Sequence, residues 1–232
     1  MSANAAALRG ISSMATRQLL ADLAAACQAA GGPALVVESV GGVDAARRVR
    51  EGEAVDLVFL ASDALAKLAV TGHVLADSCV ALVRSQVAVA VAAGATVPDI
   101  SNADAVRQAV LQAASVGYST GPSGTALLAL FDRWGILDNV QPKLRQAPAG
   151  VPVAAMVSRG DVELGFQQRS EMMSAPGIAV IGDLPPEIAI ETIFSGGVAA
   201  LAARPVEARA LLQAFADPGM NACKHRNGMT AA

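Results

Sequence analysis

Tyr118-Ser119-Thr120-Gly121-Pro122-Ser123-Gly124-Thr125 lies between the apolar segment Ala114-Ser115-Val116-Gly117 and the run Ala126-Leu127-Leu128-Ala129-Leu130-Phe131. Leu127, Phe131 and Trp134 recur at helical spacing, so the order is strand, hydroxyl- and glycine-rich loop, then helix beyond Thr125. A helix N-terminus leaves backbone N–H groups unpaired and carries partial positive charge, which suits an anion. Ser119, Thr120, Ser123 and Thr125 supply hydroxyls, while Gly121 and Gly124 let a ligand approach the backbone. Taken alone, such a turn is most simply a capped helix.

The same device recurs along the chain. Residues 8–11 read as a strand, and Ser12-Ser13-Met14 opens a helix through Leu19, Leu20, Leu23 and Cys27. Residues 35–40, which include Ser39, form the next strand, with Gly41-Gly42-Val43-Asp44 leading into a helix over 45–51. A weaker copy is Gly150-Val151-Pro152, where Pro152 suits the first turn of a helix that begins beside Val153. Repeated strand-to-helix turns imply parallel pairing, whose ligands collect beyond the carboxyl ends of the strands.

Two lobes follow from the order of these elements. Strands at 8–11, 35–40 and 55–60, with a helix at 63–70, form the start of the first. Residues 80–91 contain two apolar runs broken at Arg84-Ser85-Gln86, read as the crossing into the second. There the pattern predicts helices at 102–113 and 152–159 and strands near 162–166 and 178–181. Residues 188–194 return, and a helix over 205–216 closes the first lobe. The expectation is an α/β chain with lobe I at 1–82 plus 194–232 and lobe II at 83–193, a cleft between them, and no single continuous sheet.

Composition limits the chemistry. The 232 residues are 53% apolar and 16% charged, enough for a real core. Net charge is −3, with one Trp and one Tyr, which argues against a nucleic-acid partner. Cys27, Cys79 and Cys223 have no metal spacing, His73 and His225 stand apart in polar context, and neither a metal nor a cofactor is expected. Met1 to Ala7 lacks the basic start and apolar stretch of a leader, so the chain as written is cytoplasmic; a missing leader would make it periplasmic. The apolar run 87–94 is too short to cross a bilayer, so no membrane insertion is expected.

Gly10-Ile11-Ser12-Ser13-Met14 with Leu19-Leu20 resembles the opening of the periplasmic molybdate-binding protein family. Gly52-Glu53-Ala54-Val55-Asp56-Leu57-Val58-Phe59-Leu60-Ala61 is similar to that family's next conserved-looking segment, and Gly160 through Gln168 to a later one. The stretch from Tyr118 to Gly124, with Trp134-Gly135-Ile136 downstream, resembles the family's loop in the second lobe. The resemblance implies a type II solute-binding fold with two crossover strands, and a small anion held in the central cleft by neutral donors. It places Ser13 at the family's first ligand serine. The second serine site falls at Gly41-Gly42-Val43, which has no hydroxyl, and the family's anion-binding tyrosine falls at Gln168. Both departures favour an organic carboxylate over molybdate.

The implied ligand set is Ser12, Ser13, Ser39, Gly42, Val43, Ser119, Thr120, Ser123, Gly124, Thr125, Val153 and Gln168. The leading functional expectation is a binding protein, partnered by an ABC permease if exported. The alternative, drawn from relatives that resemble aconitate isomerase, is an isomerase of an unsaturated di- or tricarboxylic acid. That chemistry needs a base, for which Glu38, Asp44, Glu171 and Tyr118 are the candidates, with Arg169 able to pair a carboxylate.

Overall fold

The computed structural model describes residues 6–148 and 150–232; residues 1–5, on which most of the leader reading rests, and Ala149 lie outside the described residues. The chain divides into two compact units, one formed by residues up to Arg84 with Ile193–Ala232 and the other by Ser85–Thr192.

The first unit begins with β1 (Leu8–Ser13), α1 (Arg17–Ala29), β2 (Leu35–Val40), α2 (Gly42–Arg50), β3 (Leu57–Ala61) and α3 (Ser62–Val70). It then starts β4 (Val80–Ala92), which carries the chain onward. The second unit adds α4 (Ala103–Gln112), β5 (Val116–Tyr118), α5 (Pro122–Arg133), α6 (Leu137–Val140), β6 (Leu144–Gln146) and α7 (Val153–Ser158). It continues with β7 (Leu164–Gln168), α8 (Arg169–Met172) and β8 (Ile178–Asp183), and β9 (Glu191–Val198) returns the chain. Within the first unit, α9 (Pro205–Ala216), α10 (Asn221–Arg226) and β10 (Thr230–Ala231) finish it.

In the first unit β1 pairs in parallel with both β2 and β3, and β3 pairs antiparallel with β9. Leu19, Leu20, Leu23 and Cys27 put one face of α1 into the core, as their spacing requires. Phe59 and Phe215 meet there at a centroid separation of 6.2 Å. Buried Asp56 accepts from the backbone N–H groups of Arg9, Ala203 and Arg204, tying the segment before α9 to the start of β1.

In the second unit β5 pairs in parallel with β6 and β7, while β7 and β8 both pair antiparallel with β4. Phe131 lies 6.3 Å from Phe166, edge to face, and 6.1 Å from Trp134. Lys143 Nζ donates to the carbonyls of Leu111 and Ala113, closing the C-terminal end of α4. Gly165 lets α7 pack directly on β7: a Cβ there would lie 2.5 Å from Val157 Cγ2 and 3.0 Å from Val153 Cγ1.

Several expectations need correction. The strands follow one order, β2-β1-β3-β9-β4-β7-β5-β6, continuous through the crossover strands β4 and β9, where separate sheets were expected. The two units divide between Arg84 and Ser85, at the segment read as the crossing, but β4 runs through it unbroken, because Ser85 is buried between two exposed residues, the ordinary alternation of a strand. β1 runs on through Ser12 and Ser13, and a short 3-10 turn, Met14–Thr16, precedes α1. Those serines therefore end a strand and do not cap α1. α5 starts at Pro122, so Ser123, Gly124 and Thr125 belong to its first turn.

Gly165→Ala is expected to cost about 1–3 kcal/mol through overpacking against α7. Urea unfolding measures it, and a midpoint equal to that of the wild type would contradict the close packing of α7 on β7.

Candidate functional site

Parallel β1, β2 and β3 end on the same side of the first unit, each leading into a helix or turn. Ser12 and Ser39 face each other across the β1–β2 register, with hydroxyls 2.7 Å apart. Ser12 Oγ also donates to the Ser13 carbonyl at 3.1 Å, so Ser39 is the donor between the two hydroxyls. Ser13 Oγ is buried with no hydrogen-bond partner. Gly42 opens α2 beside it, where a Cβ would lie 3.5 Å from Ser13 Cβ. Val43 is 68% exposed and brings no polar group. The sequence reading missed Ser62, which donates to the Ile193 carbonyl and stands 2.7 Å from Ser195 Oγ. Its signal was present, since Ala61-Ser62-Asp63 is another strand, hydroxyl and helix start.

The second unit builds its strand ends differently. The Ser119 and Ser123 hydroxyls are 3.0 Å apart, and Ser123 is buried while Thr120 and Thr125 are exposed. Gly124 is obligatory, because a Cβ would fall 1.9 Å from the Ser119 carbonyl oxygen. The N–H groups of Gly124 and Thr125 both donate to the Gly121 carbonyl, so neither is open to an anion, while the Ser119 and Ser123 hydroxyls are among the polar groups this turn offers. Val153 is fully buried in the apolar cluster under α7, so its side chain packs and binds nothing polar.

At the end of β7, Gln167 and Gln168 are both buried. Gln168 Nε2 donates to Thr192 Oγ1 at 2.7 Å, and its Oε1 has no partner. A threonine hydroxyl donates or accepts equally well. Turning the amide end for end lets Thr192 donate to Oε1 and frees the Nε2 N–H groups for an anion. Gln167 Oε1 accepts from the Ala154 N–H in the first turn of α7 at 3.3 Å, and its Nε2 donates to Glu171 Oε1 at 2.8 Å.

Of the candidate bases, Glu38 and Asp44 are engaged by Arg48 and Arg47. The Arg48 guanidinium holds the Glu38 carboxyl below its ordinary range. Arg169 pairs with Asp183 at 2.9 Å. Glu171 differs: burial pushes its carboxyl up to about 7, against a lesser opposing effect from the Gln167 hydrogen bond. Tyr118 is half-buried at the end of β5. Burial pushes all three cysteine thiols up, which disfavours a thiolate nucleophile. His225 is exposed, and His73 is half-buried against Thr71 Oγ1. Among the described residues no group of three His, Cys, Asp or Glu could hold a metal, and no helix is long and apolar enough to cross a membrane. A shallow cavity lined by Arg50, Glu53, His73 and Leu201 lies beyond the C-terminal ends of α2 and α3, away from these strand ends.

Glu171 makes stability depend on pH. The carboxyl ionises near 4.5 in the ordinary case and at about 7 in the fold, so folding favours the protonated form. Its stabilising contribution is complete below about 4.5 and is lost as pH rises through 7. Glu171→Gln is expected to flatten this dependence and to be more stable than wild type at alkaline pH, by up to about 3 kcal/mol. Parallel stability curves for the two proteins, from thermal unfolding across that range, would contradict the burial of an ionisable carboxyl.

Comparison with known proteins agrees with this architecture. The family described as bacterial extracellular solute-binding protein matches residues 8–230. Aconitate isomerase from Pseudomonas sp. is 42% identical over 170 residues, 73% of this chain and 64% of the relative's length. Among solved structures, the periplasmic molybdate-binding protein of Azotobacter vinelandii superposes with a TM-score of 0.80 at 18% identity, covering 97% of this chain and 99% of its own. The sulfate-binding protein SubI of Mycobacterium tuberculosis gives 0.79 at 15% identity, covering 97% and 87%. The two-unit α/β architecture is thus that of the periplasmic molybdate-binding proteins, and the chain belongs to the bacterial extracellular solute-binding protein family.

Proposed function

We propose that this chain binds a small unsaturated polycarboxylate at the carboxyl ends of β5 and β7 and shifts its double bond, an activity of the aconitate isomerase type. The observation that carries the reading is the desolvated Glu171 carboxyl, held by Gln167, the neighbour of Gln168 on β7. A protein that only binds an anion gains nothing from a second negative group near its donors, since like charges repel. Proton transfer next to a carboxylate, by contrast, needs a group that is partly ionised at neutral pH. The 42% identity to aconitate isomerase supports the same substrate class.

The donors fit a carboxylate. Ser119, Ser123 and Gln168 are neutral, and Arg169, the nearest cation in sequence, is held by Asp183. Neutral donors bind a carboxylate while leaving its proton chemistry to a separate group, and they stabilise the enolate that forms when the adjacent carbon loses a proton.

Pure binding for an ABC permease is the second reading, favoured by the molybdate- and sulfate-binding neighbours. It calls for export to the periplasm, whereas the isomerase reading is compatible with the cytoplasm.

Incubation with trans-aconitate, followed by proton NMR of the vinylic and methylene signals, separates the two. The isomerase reading predicts conversion faster than in buffer. Tight binding with no conversion would leave only the transport reading. Gln168→Ala is expected to weaken binding of the tricarboxylate by about 10–100-fold, the loss of one hydrogen bond to a charged group. Unchanged affinity by calorimetry would remove Gln168 from the site.

A further inference from the structure

Resting on that reading, we propose that Glu171 is the single acid–base group of the reaction and that Gln167 is its positioning residue. The Ala154 N–H can only donate, so the group it meets on Gln167 is the carbonyl oxygen Oε1. The Gln167 amide is therefore fixed, and its Nε2 faces Glu171. An amide N–H must be met by an acceptor, and Glu171 Oε1 supplies one whether the carboxyl is ionised or neutral. The bond ties down one oxygen of Glu171 and leaves the other to carry the proton.

The surroundings of Glu171 hold no competing charge. The helix that carries it, α8, packs against β7, α7 and β8. Neither β7 nor α7 contains a titratable side chain, and the charged residues on α8 and β8 besides Glu171 are Arg169 and Asp183, which pair with each other. Glu171 is thus the carboxyl of this region without a cation partner. α8 begins directly after Gln168, so the carboxyl stands one helical turn beyond the carboxylate donor.

The step balances as a 1,3-proton shift. The Glu171 carboxylate takes a proton from the methylene carbon between the double bond and a carboxylate. The C–H electron pair becomes the new carbon–carbon double bond, and the old one moves onto the neighbouring carboxylate as a dienolate, whose oxygens the Gln168 amide and the serine hydroxyls stabilise. Glu171 then returns its proton to the former vinylic carbon. No oxidant, reductant or metal is consumed, and the carboxylate is restored. Proton exchange on Glu171 between the two transfers admits solvent hydrogen.

The test compares wild type, Glu171→Gln, Glu171→Asp and Gln167→Leu as full chains, with trans-aconitate in deuterated water. Glu171→Gln keeps an acceptor for Gln167 and is expected to bind the acid at least as tightly as wild type, since a like charge is removed, while kcat falls at least 100-fold and deuterium no longer enters. Glu171→Asp recovers part of the rate. The Gln167 bond lowers the Glu171 pKa, so Gln167→Leu is expected to move the acid limb of the kcat/KM profile from near 7 to higher pH, with little change in KM at its plateau. An active wild type whose Glu171→Gln variant keeps kcat within threefold overturns the role of Glu171 and leaves the isomerase reading intact. An unmoved acid limb in Gln167→Leu overturns the positioning role. Absence of any turnover by wild type, with binding retained, overturns the isomerase reading and both roles with it.

Discussion

The hydrogen bond from the Ala154 N–H to Gln167 Oε1 fixes the polarity of the site in the second unit. An amide side chain has one acceptor end and one donor end, and this bond decides which faces Glu171. The bond needs α7 pressed against the end of β7, and that depends on Gly165 and Gly117, where side chains would strike Val153 and Val157 or Val162. Two glycines in the strands thus reach, through one helix, the protonation of a carboxyl. The low aromatic content belongs to the same design, since small residues let helices approach the sheet closely.

Neutral donors and a buried carboxyl are complementary requirements. A cation beside Glu171 would lower its pKa and hold it ionised, which would weaken it as a base near neutral pH. The Arg169–Asp183 pair removes the nearest candidate from that role. The Arg48 bonds to Glu38 show the alternative on an exposed surface, where the carboxyl is driven toward permanent ionisation.

The alternation of strands and helices was legible because apolar period and turn residues agree over most of the chain. What misled was local polarity. Arg84-Ser85-Gln86 marked the crossing, where the two units divide, but it broke the apolar run in β4 because polar Ser85, although buried, cannot be told from a loop residue without its neighbours. Ser13 and Gln168 stood out through resemblance, and each carries a buried polar atom with no partner in the fold. Ser12 and Ser39 were legible only as hydroxyls, and their mutual bond follows from the β1–β2 register. Glu171 was one of several carboxyl candidates. Ranking it above Glu38 and Asp44 required knowing which arginines reach which carboxylates and which helix covers position 171.

The most direct test of the account is a crystal structure of the Glu171→Gln variant with trans-aconitate bound. The account predicts one ligand carboxylate within hydrogen-bond reach of Gln168 and the Ser119–Ser123 pair, with the ligand's methylene carbon facing the side chain at position 171. A ligand bound away from the ends of β5 and β7, or one whose methylene carbon points away from position 171, would contradict it.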